Sequence, residues 1–259
     1  MTDPIHRFKE FLRYQQRAQT KYYIHSPFVY QFYLNVLEGN AANHLQSINA
    51  LRKRLVQTYD KILINDMGSE PGTKAKIISD LAARASVPDK YGKVLFHLVQ
   101  YFSPHTIVEL GTCLGIGTSY MATAGPSASV ITIEGSGELS DRAGQNFNEL
   151  RLNNIEQVTG SFEKNLPEVL TKLMTVDMAF IDGNHLYEPT MKYFNLLMDK
   201  ANENTILVFD DIYWSREMTE AWSEIKRDPR ITLTIDIYRF GIVFMHREKL
   251  AKEDFTLRY

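Results

Sequence analysis

The chain lacks the features that mark several large classes of protein. It contains one cysteine, Cys113, so no disulfide can form within the chain, and a reducing compartment is expected. Its net charge of −2 provides no general electrostatic attraction to nucleic acid. No apolar run approaches the roughly 20 residues that span a bilayer, and the polar first ten residues lack the apolar core of a signal peptide. These absences predict a cytoplasmic protein without a membrane or nucleic-acid partner.

The composition is that of a folded α/β protein. At 259 residues with 44% hydrophobic side chains, the chain can bury the core of one α/β domain and carry an additional segment. Apolar residues before residue 103 recur at helical spacing, whereas strand and helix patterns alternate from Thr106 onward. We therefore predict an N-terminal helical cap over residues 1–102 and a Rossmann-like domain over residues 103–259. The predicted helices of the cap are 5–19, 28–37, 43–58, 73–86 and 89–102, with a loop at 66–72.

A glycine-rich turn follows the first strand of the predicted Rossmann-like domain. The β-branched run that begins at Thr106 includes Glu109, and the sequence G-T-C-L-G-I-G then leads into a helical pattern. A strand, loop and helix in this order present backbone N–H groups and a positive helix terminus to a ligand. Gly111 and Gly115 would let the main chain turn tightly and come close to a bound molecule. The alternative is an ordinary α/β turn that needs glycine only for its geometry.

The next strand adds a ribose-binding signal. The run from Ser129 to Glu134 ends in a carboxylate that can accept hydrogen bonds from the two hydroxyls of a ribose. Dinucleotides and S-adenosylmethionine (SAM) both carry a ribose, but the loop does not read G-x-G-x-x-G, and the acidic Glu109 suits a cationic ligand without phosphate. With this loop the sequence resembles class I SAM-dependent methyltransferases, in particular O-methyltransferases of the catechol and caffeoyl-CoA type, whose loop reads E-[LI]-G-x-x-x-G.

The remaining strand patterns agree with the fold that this resemblance implies. Strands are predicted at 129–134, 155–159, 176–182, 205–210, 231–238 and 241–246, after the one that begins at Thr106. The last two are joined by the short connection Arg239-Phe240 and should be antiparallel. A seven-stranded, mostly parallel sheet with an antiparallel C-terminal hairpin is the methyltransferase version of the Rossmann fold. The predicted fold class is therefore α/β, with this sheet and the N-terminal helical cap.

Polar residues follow the carboxyl ends of the predicted strands, where open parallel sheets bind their ligands. They are Glu109, Glu134, Ser161, Asp182, Asp210 and Asp211. Carboxylates that converge on one edge repel each other unless a cation lies among them, and either a sulfonium or a divalent metal ion would serve. Each acid alone could instead be a helix N-cap or part of a solvated loop. The predicted cofactor-binding residues are Glu109, Gly111, Thr112, Gly115, Glu134, Ser161 and Asp182.

The resemblance also implies a metal site and a general base. Metal-dependent O-methyltransferases of the catechol type take one ligand after strand four and an Asp-Asn pair after strand five, which corresponds here to Asp182, Asp210 and Asp211, with Asp in place of the usual Asn. Such oxygen ligands suit Mg²⁺ or another divalent ion. Where those enzymes have a lysine base, this chain has His185, and histidine is the base in related sugar and macrolide O-methyltransferases. An ordinary pKa near 6.5 suits that role. The alternative for His185 is a structural histidine.

The predicted function is metal-assisted O-methylation of a small hydroxylated molecule with SAM as the methyl donor. His185 and Asp182 are the predicted catalytic residues, and the reaction is an in-line displacement at the SAM methyl group. The predicted partner is a small-molecule methyl acceptor, and a homodimer is left open. Three alternatives remain: a metal-free methyltransferase acting on nitrogen or a carboxylate, an NAD-binding oxidoreductase, and a SAM-binding protein without catalysis.

Overall fold

The computed structural model describes residues 3–40, 45–66, 72–245 and 251–259. Its α-helices are α1 (Pro4–Arg17), α2 (Pro27–Phe32), α3 (Gln46–Leu55), α4 (Ile78–Asp80), α5 (Asp89–Phe102), α6 (Ile116–Ala124), α7 (Gly137–Glu149), α8 (Phe162–Lys172), α9 (Tyr187–Met198) and α10 (Arg216–Ile225). Its strands are β1 (Lys61–Asp66), β2 (Gly72–Ile77), β3 (Thr106–Leu110), β4 (Ser129–Glu134), β5 (Ile155–Thr159), β6 (Met178–Ile181), β7 (Ile206–Phe209), β8 (Leu233–Asp236), β9 (Gly241–Phe244) and β10 (Glu253–Thr256).

The main difference from the sequence prediction is a hairpin before residue 78. The predicted helix 73–86 is wrong in its first part, because Gly72–Ile77 forms β2 and pairs antiparallel with β1. Strand β1, in which Leu63 is 58% exposed while Ile64 is buried, covers a segment to which the sequence analysis assigned no strand. Residues 67–71 of the predicted loop lie outside the described residues.

The chain divides into two compact units, of which one comprises residues 34–168. In this unit β3, β4 and β5 lie side by side and parallel, with Glu109 opposite Thr132 and Glu134 opposite Thr159. The interiors of β3 and β4 are buried, as expected for parallel strands that are covered on both faces. Helices α6 and α7 both contact β4. The parallel pairing aligns the carboxyl ends of β3 and β4, which carry the glycine loop and Glu134.

The other unit comprises residues 1–33 and 169–259, and its strands follow the order β10, β8, β9, β7, β6. Strands β6 and β7 are parallel, whereas β9 is antiparallel to both β7 and β8, so the predicted C-terminal hairpin is confirmed. Strand β10, which the sequence did not predict, pairs parallel with β8. The predicted fold class, an α/β fold with mostly parallel strands, is confirmed. The boundary predicted between residues 102 and 103 stays a proposal.

None of the helices within the described ranges is both long enough and apolar enough to cross a membrane.

The turn between α6 and β4 depends on one side-chain amide. Asn154 Nδ2 lies 3.0–3.2 Å from the carbonyl oxygens of Ala122, Gly125 and Ala128. Asn154→Ala should lower the free energy of unfolding by about 1–3 kcal/mol, because these partly buried carbonyls lose their donor. Denaturant titration measures this change. Asn153→Ala, at the exposed neighbouring position, is the matched control, and an equal loss in both variants would contradict the assignment.

Candidate functional site

The glycine loop has the tight geometry that the sequence predicts. Gly111 has φ +99° and donates its N–H to the Ile133 carbonyl oxygen at 2.9 Å, which ties the loop to β4. Cys113 has φ +50° and Gly115 has φ +76°, so three positions of the loop adopt the left-handed region that favours glycine. Helix α6 begins directly after Gly115. The loop therefore leads from a buried strand into a helix N-terminus within a few residues.

Gly115 is required by packing as well as by its φ angle. A Cβ atom at this position would lie 2.4 Å from Cε1 of Phe147 and 3.2 Å from Cβ of Ala143, both on α7. The interpretation of Gly115 as a glycine needed for geometry therefore gains support. Its role in cofactor binding stays a prediction.

Glu134 lies at the carboxyl end of β4 and is anchored by backbone N–H groups. Its Oε2 accepts a hydrogen bond from Cys113 N at 2.8 Å, and its Oε1 accepts one from Ser136 N at 3.0 Å. A carboxylate oxygen can accept more than one hydrogen bond, so anchoring by backbone N–H groups is compatible with a further hydroxyl donor. This geometry fits a ribose beside the glycine loop. Ser161, the predicted contact after β5, is half-buried, and its carbonyl oxygen accepts from Asn165 N at 3.0 Å.

Glu109 is buried inside the fold. It is 1% exposed, and its Oε2 accepts hydrogen bonds from the hydroxyls of Thr118 on α6 and Thr132 on β4. The Thr112 hydroxyl lies 2.5 Å from that of Thr132. Burial raises the pKa of Glu109 to about 7, although the two threonine hydrogen bonds lower it. Glu109 therefore braces β3, β4 and α6, and its contact with a cofactor, like that of Thr112, stays a prediction.

A second acidic group lies in the other unit, at the ends of β6 and β7. Asp182 and Asp210 directly follow these parallel strands, and Asp210 N donates to the Ile181 carbonyl oxygen at 2.9 Å. Asp210 is 0% exposed. Burial and then the charge of Asp210 raise the pKa of Asp182 well above its usual range, and they raise the pKa of Asp211 to about 7. The structure thus brings together the three acids that the sequence placed in one set.

Arg239, which the sequence analysis did not select, supplies the cation of this group. Its Nε donates to Asp210 Oδ1 at 2.7 Å and its Nη2 to Asp210 Oδ2 at 2.6 Å, while Asp211 Oδ2 lies 3.5 Å from Nη2. Planar two-point pairing of this kind is the geometry that favours arginine over lysine. Two features of the sequence could have identified Arg239. Converging carboxylates require a cation, and the predicted hairpin connection contains an arginine.

His185 lies beside Asp182 in a strained turn. Its φ is +37° and that of Asn184 is +65°, so two consecutive residues adopt positive φ. His185 Nε2 is 3.5 Å from Asp182 Oδ1, and its ring centroid is 6.5 Å from that of Trp214. The guanidinium carbon of Arg7 lies 4.4 Å from the Trp214 ring centroid. Burial lowers the pKa of His185, so the imidazole is neutral at pH 7.

The contacts do not fit a divalent metal ion at the predicted position. Both oxygens of Asp210 are hydrogen-bonded to Arg239, and the guanidinium already provides the positive charge. In the part of the chain that the structure describes, no group of three or more His, Cys, Asp or Glu side chains is arranged to hold a metal. The metal set Asp182, Asp210 and Asp211 stays a prediction that these contacts do not support.

Comparison with known proteins agrees with this geometry. Residues 108–212 match a family model described as a methyltransferase domain. The matched residues include the glycine loop, Glu134 and the acids after β6 and β7. Residues 108–212 therefore carry a methyltransferase domain. The resemblance stated from the sequence is confirmed, and SAM is the cofactor of this class. The oxidoreductase alternative gains no support.

Two relatives and one solved structure illustrate the likeness. An uncharacterized protein of Acanthamoeba polyphaga mimivirus is 29% identical over 133 residues, 48% of this chain and 60% of that protein, so this chain spans less than two thirds of its length. A catechol O-methyltransferase of Niastella koreensis is 27% identical over 169 residues, 62% of this chain and 76% of that enzyme. An O-methyltransferase from Bacillus cereus in complex with SAH shares the fold, with a TM-score of 0.58, 20% identity and coverage of 83% and 96% of the two chains.

The raised pKa of Glu109 predicts a pH-dependent stability of the methyltransferase domain. Between its ordinary pKa of 4.5 and its folded pKa of about 7, the unfolded chain loses the proton first, so this group lowers the free energy of unfolding as the pH rises. The parent should therefore lose about 2–3 kcal/mol of its free energy of unfolding between pH 4.5 and pH 8 through this group, and Glu109→Gln should not show that loss. Denaturant titration at both pH values measures this. Glu138→Gln is the control, because the pKa of Glu138 is lowered, and a loss in Glu109→Gln equal to that of the parent would contradict the analysis.

Proposed function

We propose that the protein transfers the methyl group of SAM to a hydroxyl group of a small molecule. The observation that carries the proposal is Glu134, held at the end of β4 by two backbone N–H groups beside the glycine loop. The likeness to a catechol O-methyltransferase supports a hydroxyl as the acceptor atom, and the fold shared with an O-methyltransferase in complex with SAH supports the donor. Catechol is therefore the first acceptor to test.

The residues of the glycine loop and β4 would hold the cofactor. Bound SAM supplies a methyl group that is already activated by a sulfonium. Glu134 would accept hydrogen bonds from the ribose hydroxyls, and the backbone from Gly111 to Gly115 would line the ligand. Thr112, Ser161 and Asp182 are the further contacts that we propose.

His185 would accept the proton of the acceptor hydroxyl. Its lowered pKa keeps the imidazole neutral at pH 7, which is the form that a general base needs. Asp182 Oδ1 lies 3.5 Å from Nε2, so it orients the ring and leaves Nδ1 to take the proton. The carboxyl of Asp182 would also stabilise the imidazolium that forms.

Metal assistance does not enter the proposed reaction. The sequence resemblance predicted a divalent ion at Asp182, Asp210 and Asp211, but Arg239 engages both oxygens of Asp210. This contact favours transfer to a hydroxyl without a metal ion, whereas the metal-free alternative named from the sequence was transfer to nitrogen or a carboxylate. A cytoplasmic location and a homodimer stay proposals that none of these contacts addresses.

The SAM assignment is tested at Glu134. Glu134→Ala should weaken SAM binding by about 1–3 kcal/mol, because the ribose hydroxyls lose their acceptor. Isothermal titration with SAM measures the change, and titration with NADH runs in parallel. Glu138→Ala removes an exposed acid four residues further along the chain and should bind SAM as the parent does. Unchanged SAM affinity in Glu134→Ala, with a loss of NADH binding, would reject the assignment.

The role of His185 is tested by kinetics. His185→Ala should lower kcat for methylation of catechol by roughly 10²–10⁴ and leave SAM affinity nearly unchanged, because only the proton acceptor is removed. The acid limb of the pH–rate profile, which reports protonation of the base, should disappear. For an acceptor with a more acidic hydroxyl, His185→Ala should lower kcat by a smaller factor, because that hydroxyl loses its proton more easily.

Retention of both kcat and the acid limb in His185→Ala would show that the histidine is structural. His6→Ala is a suitable control, because His6 contacts Thr219 at 2.9 Å and has no proposed part in the reaction. It should keep the parent's pH profile.

A further inference from the structure

Arg239 is built into the acidic group by its backbone as well as by its side chain. Its N–H donates to the Ile237 carbonyl oxygen at 3.0 Å, and its own carbonyl oxygen accepts from Ile212 N at 3.3 Å. Ile212 directly follows Asp211, so the main chain of the hairpin is bonded to the segment that carries the acids. The turn is completed by Tyr238, with φ +72°, whose N–H donates to Asp236 Oδ1 at 2.7 Å.

The side chain of Arg239 occupies the carboxylate oxygens that would have to bind a metal ion. Its guanidinium engages both oxygens of the fully buried Asp210 and reaches Asp211, and only 18% of its own side chain is exposed. A divalent ion bound to the same carboxylates would lie beside a guanidinium that keeps its positive charge at any working pH. The two cations would repel each other, and the ion could bind only if the buried pair broke.

We propose that Arg239 is the resident cation of the acidic group formed by Asp182, Asp210 and Asp211, and that it excludes a divalent metal ion from that position. Arg239 is a positioning residue, because it acts by holding Asp210 and Asp211 and by setting the charge beside Asp182. This inference refines the proposed function, and it implies that the acceptor need not present two adjacent oxygens for chelation, so a single hydroxyl is sufficient.

The decisive experiment measures Mn²⁺ binding by isothermal titration and by the electron paramagnetic resonance signal of free Mn²⁺. The parent protein should bind no Mn²⁺ that depends on Asp210. Arg239→Met removes the charge at similar length and should acquire Mn²⁺ binding with a gain of at least tenfold in affinity, because the buried Asp210 loses the guanidinium that occupies both of its oxygens. Adding Asp210→Asn to that variant should abolish the gain.

A control separates this effect from the loss of any two-point arginine–aspartate pair. Arg230 pairs with Asp228 through Nε at 2.9 Å and Nη2 at 2.7 Å in the same unit, so Arg230→Met should not acquire Mn²⁺ binding. Arg239→Lys keeps the charge without the planar fork and should also stay without Mn²⁺ binding. If Arg239→Met does not fold without metal, its recovery on addition of Mn²⁺, followed by Tm, reports the same gain.

The proposal is overturned if the parent binds Mn²⁺ and loses it on Asp210→Asn, or if Arg239→Met gains no Mn²⁺ binding. Methylation of catechol in the presence of EDTA should proceed at the parent rate, and a loss that Mn²⁺ restores would also reject it. SAM titration of the parent distinguishes failure of the proposed function from failure of the proposal about Arg239. Failure to bind SAM would reject the proposed function and leave the metal result standing.

Discussion

The buried pairing of Arg239 with Asp210 is the contact on which the acidic group depends. Asp210 is 0% exposed, and a carboxylate so buried is strongly destabilising unless it is paired and hydrogen-bonded. Arg239 satisfies both oxygens, and the main chain around it is bonded to the segment after Asp211. Burial and then the charge of Asp210 raise the pKa values of Asp182 and Asp211, and the charge of Arg239 lowers both. The ion pair thus acts on the ionisation of both neighbouring acids.

A different principle stabilises the acid that is buried in the unit of residues 34–168. Glu109 is buried without a cationic partner in its hydrogen-bond set, and it is held by the hydroxyls of Thr118 and Thr132. A neutral carboxyl can be buried in this way at far lower cost than a carboxylate, which agrees with its raised pKa. Glu134, by contrast, is fixed by backbone N–H groups and keeps acceptor capacity for a ligand. Glu109 and Glu134, which lie on neighbouring strands, are therefore stabilised in different ways.

Much of the fold could be predicted from local patterns. The helix α5 and the strands from Thr106 onward have the predicted character, because periodicity and β-branched runs are properties of short segments. The hairpin of β1 and β2 was mistaken in part for helix, since short apolar runs do not distinguish the two structures. Strand β10 was not predicted, because an edge strand of mixed polarity acquires its structure from pairing with β8.

The sequence by itself determined the order of strands and helices from β3 to β9, the glycine loop, and the acids that follow β4, β6 and β7. Each of these features depends on residues that are close in the sequence, and parallel strands align their carboxyl ends. Only the tertiary structure decided how each acid is neutralised. Arg239 meets Asp210 because β9 pairs antiparallel with β7, which brings together residues 29 positions apart. Burial that no local pattern records raises the pKa of Glu109 to about 7. The partner of a charge depends on contacts between distant segments, and those contacts exist only once the chain has folded.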